Sequence, residues 1–269
     1  MTLSVIMVTE NSAEVVEGAL ESVAGLWDEL LVGDGGSTDG TVEMVKRFGG
    51  RIVPQKRSTP LGVRKQELVE RAKGEWILVL DADERVSPKL FQEIKSLTHS
   101  PRRSHGFTLF SLPPSEVVNP VAYRIPYQNY VFGRPVHYGG ERYSKVRLFR
   151  KGYGRISPEA LHEEVRVIEG IREIGEFSGV IHHHSYRTQW QLFVKFTKYA
   201  WMTARQMKRQ GATLSFAKLF FYAPHMFWAR FIKEKGYKDG WRGFVLALAF
   251  GYMEGLTYWF LFFRALTIL

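Results

Sequence analysis

Two acidic side chains separated by one residue, Asp81 and Asp83, follow a continuous apolar run, Trp76–Leu80. Paired carboxylates at a strand end can grip a hard divalent cation, Mg²⁺ or Mn²⁺, that keeps waters and takes its other ligands from a diphosphate. Other residues able to do chemistry lie at comparable junctions. Thr9, Glu10 and Asn11 end a β-rich run from Leu3 to Val8, and Asp34 opens the glycine-rich stretch Gly33–Gly40 after Glu29–Val32. Asp39 suits turn and helix-start chemistry. Later come Glu141, the His162-Glu163 pair and the triple histidine His182 to His184. Neighbours in a strand point to opposite faces, so at most two of those three histidines can share a ligand.

These positions need a scaffold, and the spacing supplies one. Asn11 or Ser12 can cap a helix that carries Val15, Val16, Ala19, Leu20 and Val23 and stops near Gly25. A second helix begins at about Thr41, Arg51–Val53 is a third strand, and Pro60–Lys73 is a third helix, which holds Arg64. Strands alternating with helices predict an α/β fold with a mostly parallel, right-handed sheet and ligands beyond the carboxyl ends of its strands. From His105 to about Val180, short β-like runs between Gly and Pro predict a mixed sheet. Arg147 and Arg150 read as alternate residues on an exposed strand face.

The 269 residues have no cysteine, so disulfides and thiolate metal sites are excluded. The N-terminus carries no basic leader and reads directly into a strand, so neither a signal nor a transit peptide is expected. Of the 37 Lys and Arg, 13 lie between Ser185 and Leu269 against 3 acids, leaving residues 1–184 neutral. A basic tail on a neutral body predicts a polyanionic partner, anionic lipid or nucleic acid. The tail reads as helices: one from Thr188, one over Leu214–Lys235 with an apolar stripe, and Phe244–Phe263 with Glu254 as its only charge. Twenty mainly apolar residues can cross a bilayer, dock in its interface, or pack internally. The Trp and Phe among the cations favour interfacial docking and are too apolar for a solvated nucleic-acid face, so no nucleic acid is expected.

In order along the chain, SVIMVTEN, LLVGDGGSTDGT and GEWILVLDADERVSP resemble family 2 glycosyltransferases, inverting enzymes of GT-A fold, over about residues 3–95. The Arg147-Leu148-Phe149-Arg150, His162-Glu163 and His183-His184-Ser185-Tyr186 segments extend the likeness toward the lipopolysaccharide-core β-glucosyltransferase branch. The resemblance implies three regions: a nucleotide-sugar-binding Rossmann-like half over 1–100, an acceptor-side mixed sheet over 101–187, and a membrane-docking helical tail over 188–269. It implies Thr9, Glu10, Asn11, Asp34, Arg64 and Asp81 around the donor, Asp83 and Asp81 on the metal, and His183 or His184 completing that site. Many relatives have an Asp shortly before the Arg-Leu-Phe-Arg strand, where this chain has Glu141; Glu141 and Glu163 are the candidates for the base. The implied donor is a nucleotide sugar, UDP-linked by expectation. The implied acceptor is a lipid-linked saccharide, and the implied location is the cytoplasmic face of a bacterial inner membrane. A nucleotidyltransferase also uses a Rossmann-like sheet and paired acids, but the Gly-rich Arg/Lys loop expected after its first strand is absent from VTENSAEV. A dinucleotide oxidoreductase is disfavoured by the lack of G-x-G-x-x-G there. Oligomeric state is left open.

Overall fold

The computed structural model describes residues 2–99, 120–158, 163–168, 174–212 and 216–266. Part of the expected mixed sheet (105–119), the start of the expected acceptor region, and His162 lie outside the described residues. The chain forms two compact units. The first holds Met1–Tyr127 and Ser144–His182, the second Gln128–Tyr143 and His183–Leu269.

The first unit begins with β1 (Leu3–Thr9), α1 (Ala13–Ser22), β2 (Glu29–Asp34), α2 (Thr41–Arg47), β3 (Arg51–Pro54), α3 (Leu61–Arg71) and β4 (Trp76–Val79). After β4 come β5 (Glu84–Val86), α4 (Pro88–His99), β6 (Ala122–Val131), the short β7 (Arg134–Pro135) and β8 (Ser144–Arg150). Strands β9 (Gly154–Ile156) and β10 (Val165–Val167) pair antiparallel on their own, and β11 (Gly175–Glu176) and β12 (Ile181–Tyr186) complete the set.

The sheet order is β3-β2-β1-β4-β8-β6-β12-β5. Its β3-β2-β1-β4 half is parallel, as the alternating pattern predicts, and β8 joins β4 antiparallel, with β6 antiparallel to β8. β1, β2 and β4 are buried along nearly their whole length, because a parallel sheet covered on both faces admits no polar alternation. One core cluster joins Ile6, Leu31, Ile77 and Val79 of the parallel half to Leu68, Val69 and Ala72 and to Phe149 of β8. The loop after β2 turns through Gly36 at φ 91° and Gly40 at φ 88°, left-handed conformations that glycine adopts without strain.

In the second unit, α5 (Gln189–Arg209) starts at Thr188, whose hydroxyl accepts from the Gln191 amide at 3.2 Å. Such a cap contributes about 1 kcal/mol. The expected Leu214–Lys235 helix is α6 (Phe216–Trp228) continued by a π-helical turn, Ala229–Lys233. A 3₁₀ turn, Gly236–Asp239, leads into α7 (Gly240–Leu266). Leu192 and Phe196 of α5 pack with Leu246 and Ala249 of α7. α6 lies close on α7 because Gly251 and Gly255 have no side chain: a Cβ on Gly251 would stand 2.9 Å from the Ala223 carbonyl oxygen. Around this core Trp190, Phe220, Phe221, Trp228, Trp241 and Trp259 remain exposed. The segment Gly236–Phe263 is long and apolar enough to cross a membrane.

Candidate active site

The parallel half gathers five of the expected donor residues at the carboxyl ends of β1 and β2. Thr9, buried, donates its hydroxyl to Asp34 at 3.2 Å. The second Asp34 oxygen accepts the Gly36 and Ser37 amides at 2.9 and 2.8 Å, and the Ser37 hydroxyl donates to the first. Burial works to raise the Asp34 carboxyl, but the bonds from Ser37, Gly36 and Thr9 outweigh it and hold the group below its ordinary value. Arg64 of α3 donates to the Thr9 carbonyl at 3.3 Å and to Gln55 at 3.1 Å. Desolvation lowers its guanidinium below the ordinary arginine value, against the opposing charges of Glu10 and Asp34. Asn11, at φ 45°, accepts the Thr38 amide at 2.9 Å. Asp39 accepts from Thr41 and from the Ala13 amide, so it, rather than a side chain of residue 11 or 12, closes the start of α1.

Beyond β4 lies a denser charge network. Asp81 accepts from Lys65 at 2.6 Å on one oxygen and from Arg147 at 2.9 Å on the other. Arg147 also reaches Glu84 at 2.9 Å and Tyr127 at 2.5 Å, and Tyr127 donates to Glu84 at 2.9 Å. Lys65 holds a second carboxylate, Glu163, also at 2.6 Å. Lys65 and Glu84 are each 1% exposed and Arg147 6%. Burial tends to raise the Asp81 carboxyl, yet Lys65 and Arg147 together hold it well below the usual carboxylate range. Desolvation opposes the charge on Lys65, but Asp81 and Glu163 keep its ammonium above the ordinary lysine value. Burial pushes the Tyr127 phenol well up, so it is a neutral donor. A cavity of about 100 Å³ opens beside this network, with Lys65, Arg124, Lys145, Arg147, Glu163 and Glu164 on its walls.

Arg147 is therefore not on an exposed strand face: it is buried, because Asp81 and Glu84 compensate its charge. Lys65, Glu84 and Tyr127 are additions to the residues expected from sequence. A signal for Lys65 existed. It falls on the stripe of α3 that also carries Leu68, Val69 and Ala72, a place where a lysine needs a buried partner.

Asp83, half-buried, sits on the turn between β4 and β5. Among the described residues no group of three or more His, Cys, Asp or Glu side chains is arranged to hold a metal ion. The residues present thus fit a cation that arrives with a diphosphate and takes one carboxylate from the protein, not a preformed cage.

The second unit has its own buried carboxylate, Glu141, 8% exposed. It accepts from Asn129 at 2.9 Å and from Arg230 of the π-helical turn at 3.0 Å. Burial pushes its carboxyl above the ordinary value against the pull of Arg230, His183 and Asn129. His183 Nδ1 lies 2.9 Å from the Asn129 side-chain oxygen and 2.8 Å from the Ser185 hydroxyl. His184, on the opposite face of β12, stacks on Tyr130 at 4.7 Å.

A parallel Rossmann-like half continued by an antiparallel half is the arrangement expected of a GT-A fold. The family model of glycosyl transferase family 2 matches residues 4–104 of the chain. The chain is 24% identical to a glycosyltransferase of Rickettsia typhi over 94% of this chain and 84% of that one. It is 26% identical to the lipopolysaccharide core biosynthesis glycosyltransferase LpsC of Rhizobium meliloti, over 97% of this chain and 90% of that one. Among solved structures, Staphylococcus aureus TarS (residues 1–349) aligns over 96% of this chain and 89% of that chain, at 14% identity and a TM-score of 0.45.

Proposed function

We propose that the protein transfers a sugar from a nucleotide-sugar donor to a lipid-linked saccharide, with inversion and a divalent cation, at the cytoplasmic face of a bacterial inner membrane. The observation that carries this reading is the convergence of Thr9, Asp34 and Arg64 at two strand ends, with Asp83 on the turn after β4. That crevice is where parallel α/β sheets bind nucleotides. Asp34, with Thr9, Glu10 and Asn11, receives the nucleoside. Asp83 meets the diphosphate and the cation, Mg²⁺ or Mn²⁺, which when bound offsets the charge of the departing diphosphate. Asp81, with both oxygens engaged by cations, anchors the turn that presents Asp83.

Glu163 is the base of choice over Glu141, because it lines the cavity beside Asp81 and belongs to the same charge network. The acceptor hydroxyl gives its proton to the Glu163 carboxylate as its oxygen bonds the anomeric carbon. The bond from that carbon to the diphosphate oxygen breaks, and the electron pair leaves with the nucleotide. One in-line displacement inverts the configuration.

The lipid-linked acceptor is supported by the name of the Rhizobium relative and by the second unit's surface. Exposed Trp190 and Trp201 on α5, the helix that carries Lys195, Lys198, Arg205, Lys208 and Arg209, suit an interface of anionic lipids. Nucleotide release from UDP-, dTDP- and GDP-sugars with Mn²⁺ or Mg²⁺ tests the chemistry. Activity is expected with one donor and its loss in Asp83→Ala; full turnover in that variant with chelator present would overturn the assignment. Flotation with phosphatidylglycerol vesicles, against phosphatidylcholine, tests the docking.

A further inference from the structure

Lysine is among the residues least often fully buried, and one that is buried has a job that a leucine would not do. Lys65 occupies the apolar stripe of α3 at 1% exposure. Its Nζ stands 2.6 Å from an Asp81 oxygen and 2.6 Å from a Glu163 oxygen, so those two oxygens are no more than about 5 Å apart. Asp81 belongs to the sheet end, whereas Glu163 belongs to the segment just before β10. That segment has two other ties. The Glu164 amide donates to the Ser157 hydroxyl at 3.0 Å, and the Ile156 amide of β9 donates to Gln66 at 2.9 Å. Gln66 and Lys65 are neighbours on α3. One turn of that helix therefore fixes the β9–β10 hairpin by its backbone and Glu163 by its carboxylate.

We propose that Lys65 is a positioning residue for the transfer: its ammonium holds the Glu163 carboxylate aimed into the cavity beside Asp81. This rests on the reading of Glu163 as the base. A misplaced base slows the chemical step while leaving donor binding untouched, since proton transfer requires hydrogen-bond reach. A lysine that served only the donor, through Asp81 and the diphosphate, would act on donor KM. The two roles separate in one experiment.

Nucleotide release is measured for the wild type, Lys65→Met, Glu163→Gln and the double variant, with the most active donor of the panel, Mn²⁺, and water as acceptor. Thermal unfolding monitors folding in each. Lys65→Met is expected to lower kcat about 100-fold with donor KM within about twofold, and to add less than about threefold to the loss in Glu163→Gln. Where Lys65→Met does not fold, Lys65→Gln, which can still hydrogen-bond but carries no charge, is read in the same way. A multiplicative loss in the double variant with a raised donor KM overturns the positioning role and leaves Glu163 as the base. Wild-type kcat in Lys65→Met also overturns it. Wild-type kcat in Glu163→Gln sinks the base assignment itself, and this inference with it.

Discussion

Asp81 and Glu141 are both carboxylates set among arginines and amides, one in each unit, yet they titrate in opposite directions. Asp81 is held far below its ordinary range and Glu141 is lifted above it. Burial pushes both upward; the count of cations decides the outcome. Asp81 has two bonded to it, Lys65 and Arg147, one on each oxygen, whereas Glu141 is bonded by a single guanidinium and a neutral amide, with His183 adding only a through-space pull. Desolvation of a carboxylate costs several kcal/mol, and Arg230, His183 and the Asn129 amide together do not offset it at Glu141. The first network is thus a charge-compensated cluster, whereas in the second burial outweighs the pull of the neighbouring groups on the carboxyl.

The most severe way to break this contrast is to remove the charge from the compensated side. In Asp81→Asn, the buried Lys65 and Arg147 lose their common partner. Breaking one member of such a cluster costs about 3–5 kcal/mol. The urea midpoint is expected to fall accordingly, with nucleotide release abolished; an unchanged midpoint would show that the cations find other partners. Glu84→Gln is a milder version. An amide can still accept from Tyr127 and Arg147 but does so without charge, at about 2 kcal/mol. Both are read by urea unfolding at neutral pH.

Much of the parallel half of the sheet was legible because it is local. Alternating apolar runs located β1, β2 and β4, and Asp34 and Asp81 follow from their strand ends within a residue or two. The charge network was not legible, since its partners are far apart in the chain: Lys65 meets Glu163 across 98 positions, and Arg147 meets Asp81 across 66. Arg147 looked like a solvated strand residue because alternation alone does not say which face is covered. The two-unit division was partly hidden for a related reason. The basic composition from Ser185 coincides with the boundary at His183, but nothing in the composition marks Gln128–Tyr143, which β6 enters from the first unit.

Acid unfolding sharpens the comparison further, because the two groups have opposite signs of linkage. Asp81 has a folded value below its ordinary one of about 4. Its contribution is fully present above that pH and is lost as pH falls toward the depressed folded value. Glu141, raised in the fold, binds its proton more readily there than in the unfolded chain. Its contribution is therefore present at low pH and declines as pH rises from about 4 through the folded value. Urea midpoints measured from pH 3 to 7 are expected to drop steeply at the acid end in the wild type and to flatten there in Asp81→Asn.

The smallest expected effect is at Glu141→Gln. The amide oxygen still accepts from Arg230 or Asn129, and the desolvation of a carboxylate is removed. Arg230 loses an anion, but it keeps the Gly139 carbonyl at 2.6 Å and lies over the Phe250 ring at 3.6 Å. Those terms oppose each other, so the midpoint at pH 7 is expected to move by no more than about 1 kcal/mol. The decline in stability between pH 4 and 7 should shrink at the same time. A loss of about 3 kcal/mol or more would mean that Glu141 is a charged partner of Arg230 in the fold, and the contrast with Asp81 would then be one of degree rather than of sign.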